Sequence, residues 1–222
     1  MAQAIRVMLV DDHAIVLEGY RRLLEKQAGI EVVAEAADSR TAYQRYKEVR
    51  PDVVVVDISM PGRGGIDLIG QLRAWDSAAR IVVFTMHQDA VYAMHAFQAG
   101  AKGYVTKSSN PLLLADAIVD VFAGRKAISP DVSQELALGR LSGDASALNA
   151  LSPREFEILR LLLEASPAAE IAAALNLSPK TVANYHYVIK QKLGVRSDIE
   201  LLYFGLREGL VAPPPSAQSE AL

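Results

Sequence analysis

The 222-residue chain reads as two folds in succession: an α/β domain built on a doubly wound, five-stranded parallel sheet, then a small all-α domain of helix-turn-helix type. Three observations predict this. Over the first stretch of about 120 residues, short β-rich runs alternate five times with segments of helical period. One run, Val53 to Val56, is four consecutive valines between Pro51-Asp52 and Met60-Pro61-Gly62, as expected of a strand buried on both faces, the habit of parallel sheets. From Leu151 onward the apolar spacing is helical throughout.

Taken in order, Ile5 to Val10 is the first strand and ends on Asp11 and Asp12. His13 to Gln27 has apolar residues at Val16, Tyr20, Leu23 and Leu24, a helical spacing closed by Gly29. Ile30 to Ala34 is a strand, Ser39 to Val49 a helix, Val53 onward the central strand running into Asp57, and Gly65 to Trp75 a helix. Ile81 to Phe84 is a strand that reaches Thr85; Asp89 to Ala99 is a helix closed by Gly100. Gly103 to Val105 is a strand that reaches Lys107, and Asn110-Pro111 opens a helix ending at Gly124.

Composition narrows the function classes. Half of the residues are apolar, enough for a substantial core, and the absence of cysteine excludes disulfides, thiolate metal sites and a cysteine nucleophile, in keeping with a reducing cytoplasm. A net charge of −3 does not advertise nucleic-acid binding for the chain as a whole. No apolar run approaches the roughly 20 residues of a membrane span, and the opening MAQAIRVMLVDD is too short and too acidic at its end for a signal peptide.

The chemistry sits where the strands run out. Asp11, Asp12, Asp57, Thr85 and Lys107 follow four different strands, and in a parallel sheet those ends share one edge, where such sheets place ligands. Carboxylates gathered there repel one another, and a hard divalent cation, Mg²⁺ above all, relieves that and offsets the charge of an incoming phosphoryl group. A carboxylate is a competent phosphoryl acceptor; a lysine and a threonine hydroxyl suit the added oxygens. Singly, each residue has an ordinary reading: Asp57 opens a loop, Asp12 caps a helix, Thr85 ends a strand, Lys107 is a solvated charge. Four strand ends together favour the site.

These residues resemble a response-regulator receiver domain of flavodoxin-like fold. Asp11-Asp12, Asp57-x-x-Met60-Pro61-x-x-x-Gly65, Thr85 and Lys107 match its motif set without insertion over about residues 5 to 124, and Tyr104 matches its aromatic switch position. The resemblance implies that Asp57 accepts the phosphate, that Asp12 and Asp57 ligate Mg²⁺ with Asp11 acting through water and the Ser59 carbonyl as a further ligand, and that Thr85, Tyr104 and Lys107 form the switch. Ser108 stands where many receivers have proline, a departure that touches the loop's conformation.

Residues 125–150 read as a linker: Ser129-Pro130 caps a short helix, Asp131 to Leu138, and GRLSGDASALNA is a partly flexible tether, with an ordered interdomain loop as the alternative.

Residues 151–211 read as four helices. Ser152-Pro153-Arg154-Glu155 is a capping box ahead of Phe156, Leu159, Leu162 and Leu163; Ser166-Pro167 starts a second helix with Ile171, Ala172 and Leu175 inward. Asn176-Leu177-Ser178 is a tight turn into a third helix from Pro179 to Leu193, stopped by Gly194, with Val182, Ile189 and Leu193 inward. Two short helices joined by three residues are the helix-turn-helix arrangement, a generic bundle being the alternative. The domain is neutral, but the third helix carries Lys180, Lys190 and Lys192 and no acid, the footprint of a helix beside phosphates. Lys180, Thr181, Ala183, Asn184, Tyr187, Lys190 and Gln191 are the candidate DNA contacts, since Asn and Gln pair with adenine edges and alanine meets a thymine methyl. Tyr185 is expected to be partly buried.

The stretch LSPREFEILRLL…EIAAALNLSPKTVANYHYVIKQKLGV resembles the LuxR-type helix-turn-helix, and with the receiver the chain resembles the NarL/FixJ family of response regulators, its TVANYHY and DIELLYFGLREGL runs being similar to the GacA branch. The resemblance implies a sensor histidine kinase as phosphodonor, double-stranded DNA as target, and a homodimer formed by the last helix, here through Ile199, Leu202, Tyr203 and Leu206. Ala169 and Ala183 replace lysines common in that family, which weakens phosphate contact and makes dimerisation the route to affinity. The tail, residues 212–222, is Pro/Ser-rich and expected to be disordered.

The expected function is thus phosphorylation-controlled transcriptional regulation, without enzymatic turnover beyond the receiver's own phosphorylation and dephosphorylation. Two rivals stand beside it. A haloacid-dehalogenase-type phosphatase needs a second carboxylate two residues after the nucleophile, where Ser59 stands. A protein-interaction regulator that does not bind DNA is favoured slightly by the neutral charge of the helical domain and by Ala183.

Overall fold

The computed structural model describes residues 4–142 and 146–211. The tail expected to be disordered, and residues 143–145 of the tether, lie outside the described residues. The chain forms two compact units, Met1–Arg154 and Glu155–Leu222.

In the first unit, β1 (Ile5–Val10), β2 (Ile30–Ala36), β3 (Val53–Val56), β4 (Ile81–Thr85), β5 (Gly103–Thr106) and β6 (Ala127–Ile128) form one parallel sheet in the order β2-β1-β3-β4-β5-β6. Helices α1 (Ala14–Glu25), α2 (Ser39–Val49), α3 (Gly65–Trp75), α4 (Ala90–Ala99) and α5 (Leu112–Phe122) alternate with the strands. Because consecutive side chains of a strand point to opposite faces, each strand feeds two cores. Val7, Leu9, Val53, Val55, Val82, Phe84 and Val105 pack with Leu17 and Leu24 of α1 and Leu114, Ile118 and Val121 of α5. Met8, Val54, Val56 and Val83, equally buried, point the other way. A strand buried on both sides must be apolar at every position, which is why β3 is all valine.

After β1 the chain goes to one side, to β2, and then crosses back to pair β3 on the other side of β1, Val10 lying against Val56. That reversal makes a crevice beyond the C-terminal ends of β1 and β3, and the next residues of those strands are Asp11 and Asp57.

The sheet has six strands where the sequence predicts five. Gly124, at φ +83, turns the chain back beside β5, so that Ala127 N donates to Lys102 O at 3.1 Å and Ser129 N to Tyr104 O at 2.9 Å. A two-residue strand leaves no alternation to read. The linker helix, expected over Asp131 to Leu138, is also longer: α6 spans Pro130–Ser142. A 3₁₀ turn, Ala147–Ala150, follows, with Leu148 fully buried. Where the tether is described, it is largely regular structure.

The second unit consists of α7 (Pro153–Leu163, all but its first two residues), α8 (Ala168–Leu175), α9 (Pro179–Leu193) and α10 (Asp198–Arg207). Phe156, Leu159, Ile171, Leu175, Val182, Ile189, Leu201 and Phe204 are buried. Asn176 adopts the left-handed conformation (φ 52) to end α8, and the Ser178 hydroxyl accepts from Thr181 N to start α9; this is the three-residue turn of a helix-turn-helix. Gly205 leaves room for Leu163, whose methyls would lie 2.7 Å from a Cβ there. Among the described residues, no helix is long and apolar enough to cross a membrane.

Candidate functional site

Asp11 and Asp57 are 4 % and 2 % exposed, and between them lies the Lys107 ammonium, 2.6 Å from Oδ2 of each. The remaining oxygens are held alike: Asp11 Oδ1 accepts from His13 N and Asp57 Oδ1 from Ser59 N, both at 2.9 Å. Each carboxylate thus has one oxygen fixed by the amide two residues on and one facing the shared cation, an arrangement that offsets the cost of burying two like charges. Burial pulls the Lys107 pKa down, but hydrogen bonds to Asp11 and Asp57, reinforced by their charge, outweigh it and hold the ammonium above its ordinary range.

Local sequence sets this geometry. Lys107 follows β5 directly, and its amide donates to Thr85 O at 2.7 Å, which ties the ends of β4 and β5 together. Gly65 opens α3 against the end of β3; a Cβ there would stand 2.3 Å from the Asp57 carbonyl oxygen, so the motif spacing from Asp57 to Gly65 is a steric requirement. Thr85 is fully buried, with Oγ1 3.1 Å from Ser59 Oγ. Tyr104 is also fully buried and donates to His87 O at 3.0 Å; burial raises its phenol pKa far above the usual range.

Of the sequence-predicted residues, Asp11, Asp57 and Lys107 meet directly and Thr85 joins them through Ser59. Asp12 is more exposed and turns to His13, whose Nδ1 lies 3.0 Å from its Oδ1 and 3.3 Å from Asp11 Oδ1. Asp11, Asp12 and His13 hold donor atoms within 4.8 Å of one another. The carboxylate oxygens are hard donors of the kind Mg²⁺ takes. His13 is not among the sequence-predicted residues, although it directly follows the acidic pair.

A second group is likewise absent from the sequence expectations. Thr106 Oγ1, fully buried beside Lys107, donates to Asp131 Oδ2 at 2.5 Å, and Ser109 Oγ lies 3.3 Å from Asp131 Oδ1. The only sequence signal is a polar residue in an otherwise apolar strand.

In the second unit, Lys180, Ala183, Asn184, Tyr187 and Gln191 are exposed, Thr181, Tyr185 and Lys190 half-buried. Gln191 Nε2 donates to the Tyr187 hydroxyl at 3.0 Å. Two of the three α9 lysines are engaged within the unit: Lys190 with Asp198 at 2.8 Å and Lys192 with Glu155 at 2.6 Å. His186 Nε2 also lies 2.9 Å from Asp198 Oδ1. The Lys190 hydrogen bond, with the charge of His186 and Lys190, holds the Asp198 carboxyl below the usual carboxylate range. On α10, Ile199, Leu202 and Tyr203 are exposed and Leu206 half-buried, an apolar face turned away from Leu201 and Phe204.

Comparison with known proteins identifies the families of both units. Residues 7–119 match the model of the response regulator receiver domain, and residues 149–204 that of bacterial regulatory proteins of the luxR family. The chain is 36% identical over 208 residues to the response regulator UvrY of Escherichia coli (strain K12), covering 93% of this chain and 95% of UvrY. It is 36% identical over 209 residues to the response regulator GacA of Pseudomonas aeruginosa, covering 93% and 98%. Among solved structures it is similar to RcsB from Salmonella enterica serovar Typhimurium bound to promoter P1flhDC in the presence of phosphomimetic BeF3⁻, with 32% identity, TM-score 0.72, and 91% of this chain and 98% of that one covered.

Proposed function

This chain belongs to the response regulators that carry a LuxR-type DNA-binding domain, in the branch of UvrY and GacA, and we propose that Asp57 is where it receives its phosphoryl group. It is a transcriptional regulator. The observation that carries the proposal is the Lys107 ammonium bridging Asp57 and Asp11.

The donor is the phosphohistidine of a sensor histidine kinase. An Asp57 carboxylate oxygen attacks phosphorus, the nitrogen–phosphorus bond breaks, and an acyl phosphate forms as the histidine takes up a proton. Asp11, Asp12, Asp57 and the Ser59 carbonyl would hold Mg²⁺, which when bound would supply positive charge beside the transferring group. Ser59 N orients Asp57 through Oδ1. Lys107 exchanges its bond to Asp57 Oδ2 for one to a phosphate oxygen, and Thr85 leaves Ser59 Oγ to donate to another. Tyr104, hydrogen-bonded to the His87 carbonyl two residues after Thr85 and lying against Phe97, carries the change to α4. The chain has no other turnover and acts in the cytoplasm.

Residues 151–211 read DNA through α9. Asn184 and Gln191 face base edges, Ala183 a thymine methyl, and Lys180 and Thr181 the backbone at the helix start. With Lys190 drawn to Asp198 and Lys192 to Glu155, one copy offers few cations to phosphates, so the functional unit is a homodimer paired through Ile199, Leu202, Tyr203 and Leu206. Genome-wide DNA capture with wild type and Asp57→Ala in parallel tests the coupling: wild type enriches discrete promoters, and Asp57→Ala loses most of that enrichment. Equal enrichment by both overturns the role of Asp57.

A further inference from the structure

We infer that Asp131, on the segment that joins the two domains, is a positioning residue for the Lys107 loop, so that phosphoryl transfer to Asp57 is paced in part by the linker. This rests on the reading of Asp57 as the acceptor.

The linker does not leave the receiver. β6 pairs with β5, Gly103 against Ala127 and Tyr104 against Ile128, and α6 starts two residues later with Asp131 in its first turn. That register places the Asp131 carboxylate against the loop that carries Lys107. Thr106 Oγ1 donates to Asp131 at 2.5 Å; Ser108 Oγ donates to Thr106 Oγ1 at 3.2 Å; Ser109 Oγ lies 2.8 Å from Thr106 Oγ1 and 3.3 Å from Asp131 Oδ1. Gln88 Nε2 donates to Ser108 Oγ at 2.8 Å and brings in the loop after β4.

The direction of these bonds matters. A hydroxyl has one proton to give. Thr106 gives its proton to Asp131, so it can only accept from Ser108. The hydroxyls before and after Lys107 are thus polarised toward one acceptor, and that acceptor is ionised, which strengthens each bond. Burial raises the Asp131 pKa, but hydroxyls at Ser129, Thr106 and Ser109 and the Val132 amide bring it below the ordinary carboxylate range. Removing the carboxylate takes the ionised acceptor from the fully buried Thr106 hydroxyl and leaves it only the neutral Ser109 Oγ at 2.8 Å, and the loop loses its anchor on the linker side. Ser108 supplies no fixed φ of the kind a proline would, and its hydroxyl instead ties the loop to Thr106 and Gln88. Lys107 serves both formation and hydrolysis of the acyl phosphate, so its misplacement slows both.

The test uses the full chain, Mg²⁺ and a small phosphodonor such as acetyl phosphate, comparing wild type, Asp131→Ala, Asp131→Asn and Thr106→Val. We expect Asp131→Ala to take up phosphate roughly ten-fold more slowly and to lose it several-fold more slowly after the donor is removed, with Asp131→Asn, which keeps an acceptor oxygen, close to wild type. Decay is read per phosphorylated molecule, so molecules that were unfolded and never took up phosphate do not enter it. Thr106→Val, nearly isosteric, removes only the donor hydroxyl and is expected to shift both rates the same way; it decides the matter if Asp131→Ala does not fold. Uptake and decay at the wild-type rate in Thr106→Val and in folded Asp131→Ala overturn the inference. Asp57→Asn in parallel separates the two readings: wild type and Asp57→Asn gaining equal mass contradicts the acceptor assignment itself.

Discussion

The Lys107 ammonium lies 2.6 Å from Asp57 Oδ2 and is bound equally closely to Asp11, so the proposed phosphate acceptor is held by the cation that, on that proposal, later holds its phosphate. One group serves both states. Replacing it by Met keeps volume but leaves two carboxylates buried and uncompensated. Lys107→Met is expected to lower unfolding stability by about 3 kcal/mol in the absence of divalent cations. Millimolar Mg²⁺ should restore more stability to this variant than it adds to wild type, since it supplies the missing charge. Urea unfolding with and without Mg²⁺ measures both; a variant as stable as wild type, or one indifferent to Mg²⁺, contradicts the account.

His95, fully buried on α4, donates through Nε2 to the Leu148 carbonyl at 3.2 Å and so ties the 3₁₀ turn to the receiver. Burial lowers its pKa from 6.5 to about 4, against the raising effect of the Leu148 and Gln98 hydrogen bonds. Between about pH 6.5 and 4 the unfolded chain binds more protons than the folded one, so stability is fully present above that window and falls through it. The expected loss is about 3 kcal/mol by pH 4, and His95→Gln should remove that part of the slope. Denaturant unfolding of the two proteins across the window checks it; parallel profiles count against it.

Asp198 occupies Lys190, one of the few cations α9 can offer to a phosphate. Asp198→Asn should free it. The variant is expected to bind its promoter more tightly at low salt, with the slope of log affinity against log salt steeper by about one per copy. Fluorescence anisotropy at several salt concentrations reads this, and an unchanged slope shows that Lys190 makes no phosphate contact.

Much of this molecule is visible in its sequence, and the reason is local. A parallel strand buried on both faces has to be apolar at every position, so Val53 to Val56 stands out, and the first polar residue beyond it must lie at the sheet edge. Asp11 and Asp57 are placed at that edge in this way, without knowledge of their contacts. The spacing from Asp57 to Gly65 is legible only as a family motif; its reason, the close approach of Gly65 to the Asp57 carbonyl oxygen, needs the fold.

What stays hidden depends on the chain returning to itself. β6 has two residues and owes its existence to the partner strand. Asp131 meets Thr106 across 25 positions because of that pairing, and a lone polar residue at the end of an apolar strand does not say which distant residue it meets. The three α9 lysines read as a basic stripe; that two of them are paired depends on where Asp198 and Glu155 fall once the helices pack.

The most direct test of the central claim is the intact mass of the protein after incubation with Mg²⁺ and a small phosphodonor. Wild type is expected to gain one phosphoryl group, carried by the peptide that contains Asp57, and Asp57→Asn to gain none. Identical mass shifts for the two proteins would place the phosphate elsewhere and contradict the account.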